Sequence, residues 1–262
     1  MESNKKNGLA NLTKKATAIF GAALAALTGI QANAQATLIE SFYNIGTAKV
    51  FSNFVSEKFV GENAKLTCHT FQNEGALSYS VNTNQVKINK YSNYSNTTMT
   101  LSGELVRNNH NVVLADSNCE AHLNGLFISS GTQQIDNHTL IDHQMPHCES
   151  NELYKGIAKD KSSGTFNGKI FVRKDAQKTN AYQSSKNILM SDDATINTKP
   201  QLEIYADDVK CSHGTSTGKI DSEALFYLKA RGVGEESARK LLLQAFAQEL
   251  IDKIEIPSLQ ER

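Results

Sequence analysis

Leu123-Asn124-Gly125-Leu126-Phe127 and Phe166-Asn167-Gly168-Lys169-Ile170 share one pattern: an apolar residue, Asn, Gly, any residue, then an apolar residue. Leu101-Ser102-Gly103-Glu104-Leu105 is a looser copy. The step from Gly103 to Gly125 is 22 residues and that from Gly125 to Gly168 is 43, nearly two such steps. In a strand-rich region, a repeat near 20 residues predicts stacked coils, as in a parallel β-helix. A β-sandwich is the competing architecture.

The surrounding chain is strand-like from Ala36 to about Gly218. Lys65 to Phe71, Thr97 to Leu101, Asn111 to Leu114, Leu123 to Ile128, Gly168 to Val172 and Gln201 to Val209 are short and frequently alternating segments. Clusters of Asn, Ser, Gly or Asp separate them. No helix-length periodic run interrupts them, which argues against alternating βαβ units. After Gly218 the pattern changes. Asp221 is placed to cap a helix over Ser222 to Arg231, and Gly232 to stop it. A second helix is expected from about Glu235 to Ile254. Its apolar stripe is Ala238, Leu241, Leu242, Ala245, Phe246 and Leu250. That stripe requires a surface to pack on, either the strand region or a partner.

The first 35 residues stand apart. Lys5, Lys6, Lys14 and Lys15 precede an apolar run from Ala16 to Ile30, and Ala32-Asn33-Ala34 fits a small-x-small cleavage pattern. This is the form of a secretory signal, too short for an ordinary spanning helix. An N-terminal helix, amphipathic or buried, is the other reading. The expected organisation is a signal-like or helical segment over 1–35, a β-helix over 36–218 and a helical domain over 219–262.

Of the 262 residues, 27 are basic and 27 acidic, giving no formal net charge. That balance argues against binding nucleic acid through phosphates and against a polybasic membrane binder. Cys68, Cys119, Cys148 and Cys211 are scattered, with no CxxC pair. They read as reduced, mostly buried thiols.

Four constellations carry possible chemistry. Gly214-Thr215-Ser216-Thr217-Gly218-Lys219-Ile220 falls one residue short of a phosphate-binding loop and lacks the Ser or Thr after Lys, so no nucleotide site is expected. His138, His143, His147 and Cys148 lie close in sequence, but Pro146 and strand-like neighbours argue against a helical metal pair. Asp192-Asp193 and Asp207-Asp208 raise the alternative of a secreted β-helix enzyme acting on acidic carbohydrate. Adjacent strand residues point to opposite faces, which prevents either pair from acting jointly. Cys211-Ser212-His213 differs: in a continued strand, Cys211 and His213 project to one side. A thiolate and an imidazole suit iron or an iron–sulfur cluster, yet two ligands are too few for one chain to hold it.

Lys199-Pro200-Gln201-Leu202-Glu203-Ile204-Tyr205-Ala206-Asp207-Asp208-Val209-Lys210-Cys211-Ser212-His213-Gly214 closely resembles the SufB/SufD family of the SUF iron–sulfur cluster assembly system, on its SufD side. The stretch from Glu223 to Gly232, Asp175 to Thr179, His147 to Gly156 and Phe166 to Ile170 extend the likeness, which runs from about Asn33 to Ile254. The absence of Glu after His213 favours SufD over SufB. The resemblance implies a right-handed parallel β-helix followed by a small C-terminal α-helical domain. It implies a non-catalytic scaffold in the cytoplasm, pairing with SufB and binding the SufC ATPase through the C-terminal helices. It also implies a transient iron–sulfur cluster shared with SufB, with His213 as a metal ligand and Cys211 beside it. Family members usually carry an additional N-terminal helical region, so the expectation from the resemblance is a shortened chain with a signal-like start.

Overall fold

Parallel strands stack only where each coil returns the chain to the same register, so the fold is fixed by what recurs from coil to coil. A computed structural model describes residues 20–256. One sheet contains β1 (Phe20–Ile30), β3 (Val50–Val60), β5 (Ser78–Ile88), β7 (Leu105–Leu114), β9 (Gln134–His143), β11 (Ser163–Val172) and β13 (Thr195–Ile204). The other contains β2 (Gln35–Tyr43), β4 (Lys65–Asn73), β6 (Asn93–Ser102), β8 (Glu120–Ser129), β10 (Glu149–Ala158), β12 (Asn180–Leu189) and β14 (Lys210–Gly218). All pairs are parallel and join strand n to strand n+2. The result is a parallel β-helix of seven coils, each coil giving one strand to the odd sheet and one to the even sheet.

The repeat differs from the expected one. Phe20 pairs with Val50, Val50 with Ser78, and Glu149 with Asn180, so a coil is roughly thirty residues. The three motif copies occupy unlike places: Gly125 is in β8, Gly168 in β11, and Gly103 in the turn between β6 and β7. Two of these glycines serve close packing instead. A Cβ on Gly125 would meet the Tyr154 ring at 2.2 Å, and one on Gly168 would meet Gln183 Nε2 at 2.2 Å.

The recurring corner lies elsewhere. Asn33, Asn63, Tyr91, Asn118, His147 and Lys178 all have positive φ, each two residues before an even strand. Their backbone N–H groups extend the ladder through the turns, as in Asn33 to Glu62 and His147 to Gln177, each at 2.9 Å. The following residue points inward and is small: Ala64, Ser92, Cys119, Cys148 and Thr179 are all buried. Two of the four cysteines therefore fill a small-residue column, and all four are free thiols.

This corner explains the N-terminal difference. Gln31-Ala32-Asn33-Ala34 is the same turn as Gly61-Glu62-Asn63-Ala64, and Asn63 Nδ2 donates to Asn33 Oδ1 at 2.8 Å. The cleavage-like tripeptide sits in a β-helix corner. Phe20–Ile30, expected to be signal-like or helical, is strand β1 paired along its length with β3. The basic residues Lys5 to Lys15 lie outside the described residues.

The interior is divided along its length. One side is apolar, with Leu66, Val86, Ile88, Val112, Leu114, Leu123 and Ile141 fully buried. The other carries a hydrogen-bonded lane. Lys58, 1% exposed, bonds Ser56 Oγ at 2.8 Å and Asn84 Oδ1 at 2.9 Å and lies 3.4 Å from Glu40. Asn108 donates to Gln72 and to Asn137 at 3.0 Å each, and accepts from Gln72 at 2.8 Å and Asn82 at 3.2 Å.

Helix α1 spans Ser222–Ala230 and α2 spans Glu235–Ile251. The Asp221 carboxylate accepts from the N–H groups of Glu223 and Ala224, and Gly232 takes a positive φ, as the cap pattern predicts. Ala247, Leu250 and Ile254 pack α2 and its exit on Met99, Leu126 and Leu153, on the outer face of the even sheet. Lys155 secures this contact through Glu249 and the Phe246 carbonyl, both at 2.7 Å. The predicted stripe is only partly the buried one: Ala238 and Leu250 are buried, whereas Leu241 is 48% exposed.

Replacing Asn108 with Ala leaves polar atoms of Gln72, Asn82 and Asn137 without a partner inside the coil stack. The expected loss is about 2 kcal/mol of unfolding free energy at an unchanged denaturant slope. A urea midpoint equal to that of the parent chain would show that the lane contributes nothing to stability.

Candidate functional site

A stacked fold repeats its chemistry until it ends, so the distinctive site is sought at an end. The even sheet finishes at β14, which pairs with β12 and has no strand on its other edge among the described residues. From Ser212 to Gly218 every residue of β14 is exposed. The odd sheet finishes in the same way at β13. The last coil thus presents two open edges and an uncovered interior rung.

Cys211 and His213 both belong to this rung. They lie on a strand of their own, separated from β13 by a turn, so the continuous strand from Gln201 is not what aligns them. Alternation along β14 gives them the same side, the one that faces inward on every earlier coil. Cys211 stacks on Ala181 and packs with Leu202 and Val209 against the apolar cluster of Ile170, Val172 and Ala206. Partial burial pushes its thiol up, against a hydrogen bond from the Ala181 backbone. His213 stacks on Gln183 and is exposed.

The column under His213 changes character toward the open end. It runs Leu38, Cys68, Asn96, Leu123, Glu152, Gln183, His213. Glu152 is fully buried and accepts a short hydrogen bond from Gln183 Nε2. Burial pushes its carboxyl from the ordinary 4.5 up to about 7, with hydrogen bonding from Thr139 and Gln183 opposing. Yet Thr139 Oγ1 and Glu152 Oε1 make no hydrogen bond of normal geometry, so the Gln183 amide is the defined partner. Glu152 and Gln183 had no local signature. The signal that could have found them is the coil offset, which carries His213 back to both.

The remaining sequence candidates disperse. His143 ends β9, is buried, and shares a hydrogen bond with Ser150 at 2.9 Å, while His147 occupies a corner and His138 pairs with Asp136 at 2.8 Å. Among the described residues no group of three or more His, Cys, Asp or Glu side chains is arranged to hold a metal ion. Gly214 to Gly218 is extended strand, which gives no phosphate cradle. Asp192 pairs with Lys219 at 2.6 Å and Asp208 with Lys178, so each acidic doublet has a member held in a surface ion pair.

Apolar surface is also left open away from the rung. On α1, Phe226 is 74% and Tyr227 58% exposed, and the helix buries none of its residues. No described helix is long and apolar enough to cross a membrane.

A family model described as SUF system FeS cluster assembly, SufBD core domain, matches residues 14–246. An iron–sulfur cluster assembly SufBD family protein of Synechocystis sp. is 36% identical over 244 residues, 90% of this chain and 54% of that protein. The iron–sulfur cluster assembly protein SufD of Escherichia coli is 34% identical over 229 residues, 87% of this chain and 54% of that protein. The chloroplastic protein ABCI7 of Arabidopsis thaliana is 34% identical over 204 residues, covering 78% and 43%. The chain spans about half the length of the curated relatives it matches.

The Glu152 carboxyl sets a pH dependence of stability. Because its folded-state value is raised, the folded protein keeps a proton that the unfolded chain releases between pH 4.5 and about 7. Stability from this group is therefore full below pH 4.5 and declines as pH rises through 7. In Glu152→Gln the decline is absent, so the stability difference between variant and parent shifts in the variant's favour by up to about 3 kcal/mol from pH 4 to pH 8. Chemical denaturation at the two pH values measures it, and parallel profiles for the two proteins refute it.

Proposed function

The chain belongs to the SufBD family of the SUF iron–sulfur cluster assembly system, and from that premise we propose that it is a non-catalytic scaffold subunit whose open C-terminal rung completes an assembly site with a partner. The observation that carries this reading is the pairing of an uncapped coil end with two thiophilic-metal ligand types on it. Cys211 and His213 point to the interior of the last rung, which a further coil would cover. Two donors are fewer than an iron–sulfur cluster requires, so the remaining ligands come from a second chain.

The partner suited to the edges is another parallel β-helix, because β13 and β14 offer unpaired backbone groups in the spacing such a fold supplies. SufB is that partner in this proposal. The nascent cluster is the cargo of the joint, held in part by His213, with Cys211 beside it. The C-terminal helices α1 and α2 bind SufC. The open apolar face of α1 at Phe226 and Tyr227 supports that assignment. Nucleotide hydrolysis then belongs to SufC, in keeping with the extended backbone of Gly214 to Gly218. Reduced thiols, ATP and oxygen-sensitive clusters support a cytoplasmic location for this work.

Co-purification with SufB and SufC, followed by reconstitution with ferrous iron and sulfide, tests the reading. Association with both is expected, and association with neither overturns it. His213→Ala retains association and loses most of the cluster; an unchanged cluster yield removes His213 from the site. Phe226→Ser with Tyr227→Ser weakens SufC capture by about tenfold or more while SufB capture stays, because two aromatic anchors of an interface are removed together. Equal capture of SufC moves the contact elsewhere.

A further inference from the structure

Glu152 is an expensive residue for its place. The rung before it holds Leu123 in the same column, fully buried and well packed. A carboxyl there loses its hydration and gains a single defined hydrogen bond, from a neutral amide. Burial of this kind is unfavourable unless the polar group is needed.

The neighbouring amide is accommodated with equal specificity. Gln183 is 2% exposed, and its carboxamide occupies space left by Gly168, where a Cβ would stand 2.2 Å from Nε2. Gln183 Nε2 donates to Glu152 Oε2, which turns the carboxamide so that Oε1 faces away from that carboxyl. That Oε1 is buried and has no hydrogen-bond partner. The next rung outward in the same column is His213. Rungs of a parallel sheet are about 4.8 Å apart, so His213 is the adjacent residue of the column that carries a side-chain N–H.

We propose that Glu152 and Gln183 form a buried positioning column that orients His213, Glu152 fixing the Gln183 carboxamide and Gln183 Oε1 accepting one ring N–H. The other ring nitrogen is then unprotonated and directed at the open end. A histidine that ligates a metal through one nitrogen characteristically donates from the other to such an acceptor, which fixes its tautomer and ring plane. Neither residue touches the cargo; both act through His213. The role of the column in assembly rests on the reading of His213 as a ligand, but the orienting contact does not.

The contact is tested on the metal-free full chain by long-range proton–nitrogen correlation of the histidine rings, with His213 identified through His213→Asn. The parent shows one dominant tautomer at neutral pH. Gln183→Leu loses that single-tautomer pattern, Glu152→Leu loses it as well, and the conservative Glu152→Gln keeps it, because an amide oxygen still accepts from Gln183 Nε2. If Gln183→Leu does not fold, the Glu152 pair decides. An unaltered tautomer pattern in Gln183→Leu, or in Glu152→Leu, overturns the proposal. In the complex reconstituted with ferrous iron and sulfide, loss of the column lowers iron affinity by about tenfold or more. A cluster yield unaffected by His213→Ala defeats the ligand reading alone. A yield that falls with His213→Ala but not with Gln183→Leu defeats the column alone.

Discussion

Everything in this molecule depends on the in-register stacking of one coil on the last. Backbone hydrogen bonds between parallel strands fix the position of every residue relative to residues about thirty places away. A side chain is therefore answerable to its column. Where a column is uniform, as at Val86, Val112, Ile141 and Ile170, it builds core. Where a column changes type, as at Leu123, Glu152 and Gln183, the change has to be explained by what the stack leads to.

The division of the interior follows from this constraint. A small cross-section between two facing sheets cannot hide a polar group by moving it outward. Polar residues must satisfy one another along the axis, and Lys58, Asn84, Gln72 and Asn108 do so. Tyr154 stacks on Phe166 with ring centroids 4.5 Å apart, made possible by Gly125, and forms part of the boundary between lane and core. The helices take no part in the stack. They lie on an outer face, tied there by Leu250 and Lys155, so the end of the coil and the helical surface remain available separately.

The fold class was legible because short strands, the late helices and the family likeness agreed. The period was not. The conspicuous Asn-Gly copies sit in different sheets, and the true repeat is carried by corner residues as unlike as Asn63, Tyr91 and His147. What unites them is a backbone conformation, and no side-chain pattern announces it when Tyr, His and Lys adopt it along with Asn. For the same reason Ala32-Asn33-Ala34 read as a cleavage-like tripeptide and Phe20–Ile30 as a signal-like or helical segment, where the register makes them a corner and a strand. At the candidate site, Cys211 and His213 were visible because their spacing of two is a local strand signal. Glu152 and Gln183 were invisible because their relation to His213 is a vertical one, and a sequence read without its register has no vertical direction.

The uncapped rung has a consequence for the chain when it is alone. An open solenoid end is the same kind of object as the tip of a growing fibril: a backbone template that accepts any extended chain. The composition of β14 answers that hazard. Ser212, Gly214, Thr215, Ser216, Thr217 and Gly218 supply little apolar surface and two weak strand formers, so a copy of this chain gains little by adding to it. A tip built this way grows poorly on itself and waits for a chain that brings the affinity from its own side.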